Sequence, residues 1–344
     1  MSQKKKPAKR TPVWRVLRGL YIILFALSLV VVASYIALKL YAPPPPVADQ
    51  VELPLSTDSL PSPEQSDDVA PATDTPDVTD IDKPETLILN RREGVYTCLL
   101  LGVADLGGSD TIMLGVFDTK GRTASLISIP RDTVVNYNGS KMKINAAYSR
   151  GGVEAVRQCV SEMLAVQIDF YVSVNTRAFR EIVNEIGGVY FDVPVRMDYE
   201  DPYGNLYIHI DPGYQLLNGK QAEGVVRCRS CYASQDIGRT ATQRAFLVAL
   251  VKQTVTLSNV TKVTNLINIL NTYVKSDMTL SNMVYFGTQA VGMDLDTSLT
   301  SAVLSTNWVS PYIVPKEDEV LELVNSLGIY EEQIPAGALK LVHP

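Results

Sequence analysis

Three apolar runs between residues 95 and 129 dominate the hydrophobic pattern of the chain and predict neighbouring β-strands. They are VYTCLLLGV (Val95–Val103), TIMLGVF (Thr111–Phe117) and TASLISI (Thr123–Ile129). Continuous apolar runs of this length are typical of strands that are buried on both faces of a sheet. The polar segment Asp118–Gly121 separates the second run from the third and predicts a hairpin turn.

Helical patterns follow these strands and alternate with shorter strand-like runs. We expect helices over residues 151–166, 176–188, 218–227, 238–255, 279–291 and 316–328. The runs FYVSVN, VYFDVP and PYIVP between them predict further strands. This alternation predicts an α/β fold in which a central mixed β-sheet is flanked by helices.

A different apolar segment lies near the N-terminus. Gly19–Leu38 contains 20 residues without a charge, and the 18 residues before it hold seven Lys or Arg and no acid. A 20-residue helix spans about 30 Å, the thickness of the hydrocarbon core of a bilayer. We therefore expect a basic cytoplasmic tail over residues 1–18 and one transmembrane helix over residues 19–40, with the rest outside. A cleaved signal peptide is the alternative, but Lys39 interrupts the expected cleavage region.

Residues 41–87 differ in composition from the rest of the chain. Ten of the 20 prolines lie between Pro43 and Pro84, together with ten acids that precede the first base of the segment. Such a segment buries too little apolar surface to offset its ordering entropy, so we expect a disordered, extended stalk. The folded domain then covers residues 88–344. From Glu85 onward the chain has 27 acids and 22 bases, which argues against a nucleic-acid-binding face.

The four cysteines indicate no disulfide framework. Cys228 and Cys231 form a C-x-x-C pair without a second pair at zinc-binding spacing, and we expect them to remain unbridged. Cys98 and Cys159 lie in apolar runs, where we expect them to pack as small hydrophobic side chains.

Several common catalytic motifs are absent from the sequence. It has two histidines, His209 and His343, and no zinc-protease, serine-hydrolase or phosphate-loop motif. The sequence therefore argues against a histidine-based hydrolase, and we expect His209 to be an ordinary strand residue.

Arginines and aspartates instead lie at the ends of predicted elements. Arg131 and Asp132 follow Pro130, which ends the third strand because proline has no N–H to donate. Asp105 and Asp110 lie in the glycine-containing loop between the first two strands. These carboxylates have two alternative roles, turn capping and Mg²⁺ binding, and the sequence does not decide between them.

A second set of basic residues lies near the long predicted helix. Arg227 and Arg229 are two residues apart, so their side chains share one face if the segment is extended. Arg239 and Gln243 are four residues apart and share one face of a helix. Each pair alone is compatible with ordinary surface ion pairing. Because the planar fork of arginine suits phosphate oxygens, the whole set with Arg131 suits a diphosphate with Mg²⁺.

Six motifs, in this order, resemble those of the LytR-CpsA-Psr family of bacterial cell-wall proteins. They cover about Tyr96 to Val255 and are SDTIML, SLISIPRD, KINAAYSRGG, VNTRAFREIVNEIGGV, LNGKQAEGVVRCR and DIGRTATQR. The N-terminal anchor and the acidic stalk also fit this family. The resemblance implies a single domain of the family's type that faces outward from the bacterial cytoplasmic membrane.

The resemblance also implies an activity. Such proteins transfer a glycopolymer, such as a teichoic acid, from an undecaprenyl-diphosphate carrier to peptidoglycan. The acceptor is the C6 hydroxyl of N-acetylmuramic acid, and the new bond is a phosphodiester. The implied partners are therefore the lipid-linked polymer and peptidoglycan, and the implied cofactor is Mg²⁺.

Site residues follow from the same resemblance. Two carboxylates are implied as Mg²⁺ ligands, Asp110 and Asp105. Six residues are implied to bind the diphosphate: Arg131, Lys143, Arg227, Arg229, Arg239 and Gln243. Arg131 is also the expected catalytic cation, and two aspartates are candidates for the base that accepts the sugar hydroxyl proton, Asp132 and Asp236.

Three departures from the family pattern leave other functions open. Ala104 stands where the family usually has aspartate, and Thr242 replaces the second arginine of its Gly-Arg-x-x-Arg-Gln motif. Ser230 and Cys231 stand where acidic residues or histidine are common. Two alternatives therefore remain: a non-catalytic protein that binds a polyprenyl diphosphate, and a pyrophosphatase that acts on the lipid carrier.

Overall fold

Strands and helices alternate in the structure, a computed structural model that describes residues 42–47, 50–54, 86–103, 108–201, 206–233, 236–254 and 263–343. The strands are β1 (Gln50–Pro54), β2 (Thr86–Asn90), β3 (Val95–Val103), β4 (Ser109–Asp118), β5 (Thr123–Ile129), β6 (Val134–Tyr137), β7 (Ser140–Lys143), β8 (Phe170–Asn175), β9 (Val189–Val193), β10 (Met197–Asp201), β11 (Leu206–Ile210), β12 (Gly213–Leu217), β13 (Val274–Ser276), β14 (Leu299–Val303), β15 (Thr306–Val309) and β16 (Tyr312–Pro315). The helices are α1 (Ile144–Leu164), α2 (Thr176–Glu185), α3 (Gly219–Arg227), α4 (Asp236–Thr254), α5 (Val263–Tyr273), α6 (Leu280–Ala290), α7 (Leu295–Ser298) and α8 (Glu317–Ser326).

Within the described residues, a six-stranded mixed sheet has the order β13–β8–β3–β4–β5–β14. The pairs β3–β8 and β5–β14 are parallel, whereas β3–β4, β4–β5 and β8–β13 are antiparallel. The three strands predicted from the apolar runs lie side by side, and the predicted turn after Asp118 joins β4 to β5. The predicted central mixed sheet is therefore confirmed.

Both faces of this sheet are covered. On one face, Leu99 and Leu101 of β3 pack with Val156 of α1 and Val320 of α8 in the main hydrophobic core. On the opposite face, Tyr96 packs against the aromatic residues of α6. This double burial explains why the strands have continuous apolar sequences rather than alternating ones.

A second core lies between helices α2, α3 and α4 and the antiparallel pairs β9–β12 and β10–β11. It contains Val183, Phe191, Val225 and Phe246, which come from α2, β9, α3 and α4. His209 lies on β11, as expected, with its Nδ1 2.7 Å from Asp198 Oδ1. This core matters for the site because it packs α3 against α2 and α4.

Helix α1 begins at Ile144, earlier than the start predicted at Gly151. The glycine pair interrupts the helix rather than starting it, because Gly151 and Gly152 have non-helical backbone angles. A Cβ at Gly151 would lie 2.5 Å from the hydroxyl oxygen of Tyr137, so a larger residue would have to displace this side chain. The residues after Lys143 thus form the first turns of α1.

Parts of the segment expected to be a disordered stalk pack on the domain instead. Strand β1 pairs with β2 in antiparallel fashion. Ala42 is buried against Tyr96, Phe170 and Tyr285, and the Tyr96 hydroxyl donates to the Pro45 carbonyl at 3.4 Å. Composition alone did not predict these contacts, because they involve a few residues within a proline-rich sequence.

The expected basic tail over residues 1–18 and the expected membrane span over residues 19–40 lie outside the described residues. Among the helices that the structure does describe, none combines the length and the apolar character needed to cross a membrane.

The cysteines of the two apolar runs are small packing residues, as expected. Cys159 is buried in the main core, and Cys98 packs on the opposite side of the sheet. Burial raises the pKa of the Cys98 thiol to about 12 and that of Cys159 to about 11. Both side chains therefore remain neutral thiols at physiological pH.

Candidate functional site

Asp110 and Arg131 face each other at one edge of the central sheet. The register of β4 and β5 pairs Ile112 with Ile129, and its continuation outward sets Asp110 opposite Arg131. Arg131 Nη1 donates to Asp110 Oδ1 at 2.6 Å. The arginine side chain is 20 % exposed and the aspartate side chain 43 % exposed, so water and a bound anion can both reach this pair.

Backbone hydrogen bonds from the start of α1 hold the turn that carries Arg131. The Pro130 carbonyl accepts the N–H of Thr133 at 3.0 Å. The N–H groups of Ile144 and Asn145 donate to the carbonyls of Thr133 and Arg131, at 2.8 and 3.1 Å. These bonds fix the direction in which the Arg131 side chain leaves the sheet.

The same turn brings Lys143 close to Arg131. Lys143 is the last residue of β7 and the N-cap residue of α1, and its Nζ lies 3.2 Å from Asp132 Oδ1. The carboxylate of Asp132 therefore orients the Lys143 ammonium group. Of the residues singled out from the sequence, the structure brings four together here: Asp110, Arg131, Asp132 and Lys143.

Helix α3 carries Arg227 as its last residue. The N-terminus of α3 is capped by a reciprocal pair of hydrogen bonds between Asn218 and Gln221. The predicted helix leading to Arg227 is confirmed, and the side-chain alternation of an extended segment therefore does not apply to Arg227 and Arg229. Arg229 is exposed and lies in the bend that follows the helix.

A buried carboxylate, Glu223, joins Arg227 to an arginine of another helix. Arg227 Nη1 donates to Glu223 Oε1 at 2.7 Å, and Arg180 Nη1 of α2 donates to Glu223 Oε2 at 2.9 Å. The Glu223 side chain is 6 % exposed, whereas those of Arg180 and Arg227 are 41 and 40 % exposed.

Arg180 and Glu223 were not singled out from the sequence. The four-residue spacing of Glu223 and Arg227 on a helix signals one of these contacts. The contact with Arg180 has no local sequence signal, because it depends on how α2 and α3 pack.

Helix α4 connects the two groups of basic residues, since it lies against both α3 and β5. Gln243 Nε2 donates to the carbonyl of Val226, the residue before Arg227, at 2.9 Å. Arg239 lies one turn earlier on α4 and is buried. The helical spacing of Arg239 and Gln243 predicted from the sequence is therefore confirmed.

Thr242 of α4 forms a hydrogen bond with the segment between α3 and α4. It is buried, and its hydroxyl oxygen lies 2.6 Å from that of Tyr232. Gly238 packs beneath the Tyr232 ring, where a Cβ would lie 2.5 Å from a ring carbon. Burial raises the pKa of Tyr232, so its hydroxyl stays protonated and available for this hydrogen bond.

Cys228 and Cys231 form a disulfide in the same segment, so the expectation of an unbridged pair is wrong. Their Cα atoms are 5.6 Å apart, because the backbone turns after α3 and the N–H of Tyr232 donates to the carbonyl of Arg229. Sequence spacing alone does not determine whether two cysteines meet this distance requirement.

The remaining predicted site residues are the second expected Mg²⁺ ligand, Asp105, and a candidate general base, Asp236. Asp105 lies outside the described residues, and Asp236 begins α4 but its side chain is outside the described part. The described residues contain no group of three or more His, Cys, Asp or Glu side chains arranged around a metal position. Asp110 supplies one carboxylate. Mg²⁺ commonly takes one or two protein carboxylates with phosphate oxygens and water, so Asp110 fits a substrate-bound Mg²⁺.

Comparisons with known proteins agree with the motifs and the fold. The LytR_cpsA_psr family model matches residues 68–326. The polyisoprenyl-teichoic acid–peptidoglycan teichoic acid transferase TagV of Bacillus subtilis (strain 168) is 34 % identical over 187 residues, 51 % of this chain and 48 % of TagV. TagU, a transferase with the same named activity from the same strain, is 30 % identical over 194 residues, 55 % of this chain and 61 % of TagU. The chain thus spans about half the length of the first relative and three fifths of the second.

The fold comparison leads to the same family. The crystal structure of B. subtilis TagV is 27 % identical in sequence and has a TM-score of 0.61 against this chain. The match covers 69 % of this chain and 96 % of the TagV chain. The mixed sheet with flanking helices is therefore an arrangement that solved members share. With a family model matched over most of its length, the chain belongs to the LytR-CpsA-Psr family.

Proposed function

We propose that this protein transfers a glycopolymer from an undecaprenyl-diphosphate carrier to the C6 hydroxyl of N-acetylmuramic acid in peptidoglycan. Two relatives of the family are named as teichoic acid transferases that act between a polyisoprenyl carrier and peptidoglycan. The observation that carries the proposal is the placement of Arg131 and Lys143 at one sheet edge, each paired with a carboxylate that a diphosphate can displace.

Binding of the diphosphate follows from these cations. The Arg131 guanidinium can make two parallel, charge-assisted hydrogen bonds to phosphate oxygens. Lys143 adds a compact positive charge from the start of α1. Four residues of α3, α4 and the segment between them complete the proposed cradle, namely Arg227, Arg229, Arg239 and Gln243.

The reaction is a displacement at the phosphorus atom that bears the polymer. The muramic acid oxygen attacks this phosphorus, and the bond from phosphorus to the bridging oxygen of the diphosphate breaks. Undecaprenyl phosphate leaves with the electron pair, and the hydroxyl proton passes to a base. Asp132 and Asp236 are the candidates for that base. Positioning and stabilisation of growing charge are the main requirements of phosphoryl transfer, and fixed arginines meet both.

We also propose that Mg²⁺ is a cofactor of this reaction and that Asp110 and Asp105 would hold it. When bound, Mg²⁺ would offset negative charge on the diphosphate. Asp110 can take this role once the diphosphate has engaged Arg131, because the aspartate is then released from its ion pair.

The proposed location is the outer face of the bacterial cytoplasmic membrane. The basic tail at residues 1–18 and the apolar segment at residues 19–40 support a single span with a cytoplasmic N-terminus.

A transfer assay tests the proposed function against both alternatives. Full-length protein in detergent is incubated with Mg²⁺, a prenyl diphosphate that carries a labelled sugar, and peptidoglycan oligomers. Label that moves to the oligomers supports the transferase. Label released without transfer indicates a pyrophosphatase, and binding without turnover indicates a non-catalytic binding protein.

A further inference from the structure

Two arginines from different helices bind the two oxygens of one buried carboxylate, Glu223. From this triad we infer that Arg180 is a further diphosphate-binding residue and that Glu223 is a positioning residue for Arg180 and Arg227. The inference rests on the proposed function, since it assigns a role in the same site.

Close packing of α2 and α3 builds this triad. A Cβ at Gly219 would lie 2.4 Å from the carbonyl oxygen of Arg180, so glycine permits the contact between the two helices. The N–H of Gly219 also donates to Asn184 Oδ1 of α2 at 2.8 Å. Glu223 follows Gly219 by about one helical turn, so both residues lie on the face of α3 that is turned toward α2. The Arg180–Glu223 contact is thus set by the packing of two helices.

The charge and exposure of the triad suit an anion. One buried carboxylate between two guanidinium groups leaves a net positive charge. Because Glu223 is buried and both arginine side chains are about two fifths exposed, the positive groups are the part that solvent reaches. Each guanidinium has five N–H donors and directs Nη1 at Glu223, so further donors on each fork can reach phosphate oxygens.

The position of the triad links it to the proposed cradle. Arg227 ends α3, and the preceding residue, Val226, accepts the hydrogen bond from Gln243 of α4. Arg180 therefore adds a cation from α2 to the side of the cradle that α3 and α4 form. A carboxylate that binds both forks restricts their rotamers before the ligand arrives, which lowers the entropy lost on binding.

The role of Arg180 is tested with farnesyl diphosphate as the probe, titrated by calorimetry into full-length protein in detergent with Mg²⁺. Arg180→Ala should weaken binding about tenfold, as expected for the loss of a charged hydrogen-bond donor. Arg180→Lys, which keeps the charge without the fork, should weaken binding less. The matched control is Arg196→Ala, because Arg196 is an exposed arginine paired with Asp198 and Asp211; it should leave binding unchanged.

These titrations distinguish the role of Arg180 from the proposed function. If wild-type protein binds farnesyl diphosphate and Arg180→Ala binds it equally well, the inference is overturned and the proposed function stands. If wild-type protein does not bind farnesyl diphosphate, the proposed function and the inference are both overturned.

The role of Glu223 is tested by whether one substitution strengthens or weakens the binding of farnesyl diphosphate. Glu223→Gln removes a negative charge near the anion, so a purely electrostatic role predicts tighter binding. A positioning role predicts weaker binding, by about fivefold, and no further weakening in an Arg180→Ala/Arg227→Ala background. The positioning role is overturned if Glu223→Gln in the wild-type background binds as tightly as wild type or more tightly. It is also overturned if the substitution weakens binding equally in both backgrounds. Thermal unfolding identifies any variant that does not fold. If Glu223→Gln does not fold, Glu223→Asp, which keeps the charge on a shorter side chain, replaces it: a positioning role predicts weaker binding, and unchanged binding overturns that role.

Discussion

Asp110 and Arg131 form an ion pair across the open ends of β4 and β5, with 2.6 Å between Oδ1 and Nη1. In the proposed reaction these two side chains have separate partners, a metal ion for the aspartate and a phosphate for the arginine. In their ion pair each charge compensates the other. Binding of the diphosphate must exchange this contact for two others.

Substitution of Arg131 should affect binding more than folding. Arg131→Lys keeps the charge but loses the fork, so farnesyl diphosphate should bind about tenfold more weakly, which corresponds to about 1.4 kcal/mol. Arg131→Ala should bind more weakly still. A partly exposed ion pair contributes at most about 1 kcal/mol, so the free energy of unfolding should change little.

Calorimetric titrations and melting curves of both Arg131 variants check this prediction. Arg122→Ala, at the opposite end of β5, is the matched control and should bind normally. If Arg131→Ala lowers the melting temperature while affinity per folded molecule stays the same, Arg131 only supports the strand end.

Asp110→Asn should remove the effect of Mg²⁺ on diphosphate binding. Without Mg²⁺ the variant should bind farnesyl diphosphate at least as well as wild type, because asparagine no longer neutralises Arg131. With MgCl₂ the gain in affinity seen for wild type should be lost. Titrations with MgCl₂ and with EDTA measure both effects, and Asp192→Asn, on the exposed face of β9, is the control. An unchanged Mg²⁺ effect would show that Asp110 holds no metal.

Asp169→Asn should destabilise the domain strongly. Arg91 pairs with Asp169, and the two side chains are 1 and 4 % exposed. The Asp169 carboxylate also accepts the backbone N–H of Thr97 at 2.7 Å. The substitution leaves the Arg91 charge buried without a carboxylate, at a cost of about 3–5 kcal/mol. Denaturant unfolding measures this loss.

The matched control for that experiment is Asp296→Asn, because Asp296 is an exposed partner of Lys252. It should leave the unfolding midpoint nearly unchanged. A similar midpoint for both variants would mean that the buried pair contributes no more than a surface pair.

The double substitution Cys228→Ala/Cys231→Ala should lower the melting temperature modestly. In the chain-entropy model, closure of so short a loop contributes about 2 kcal/mol. Wild-type protein in reductant should melt at the temperature of the double variant, and the variant itself should not respond to reductant. Identical melting curves for oxidised wild type and variant would contradict a stabilising bridge.

Protease added to intact protoplasts should remove the folded domain, because Val47 and all later residues are proposed to lie outside. Immunoblots against the domain and against a cytoplasmic marker protein measure this, and the marker should survive. Survival of the domain until the cells are lysed would contradict the proposed orientation.

The strands of the central sheet were predictable because their sequences carry the signal locally. Val95–Val103 and Thr123–Ile129 are strands with the bounds of their apolar runs. The start of α1 was not, since Gly151 and Gly152 are normally helix-ending signals, and here helical turns lie on both sides of the interruption that they form.

The candidate site was also predictable from the sequence only in part. Arg131 was predictable because Pro130 marks the strand end next to it in sequence. The contact between Arg180 and Glu223 and the bridge between Cys228 and Cys231 were not, because each requires a distance that only the folded backbone determines.

The pairing of β1 with β2 changes what the proline-rich acidic segment can do. Pro54 and Thr86 are register partners, so the chain between them leaves and returns at nearly the same point. Neighbouring strands are about 5 Å apart, whatever the number of residues that connects them. With the anchor proposed at residues 19–40, the number of residues between β1 and β2 would then have no effect on the distance between the domain and the bilayer. That distance would be set by the short segment before β1, in which Ala42 and Val47 pack against the domain.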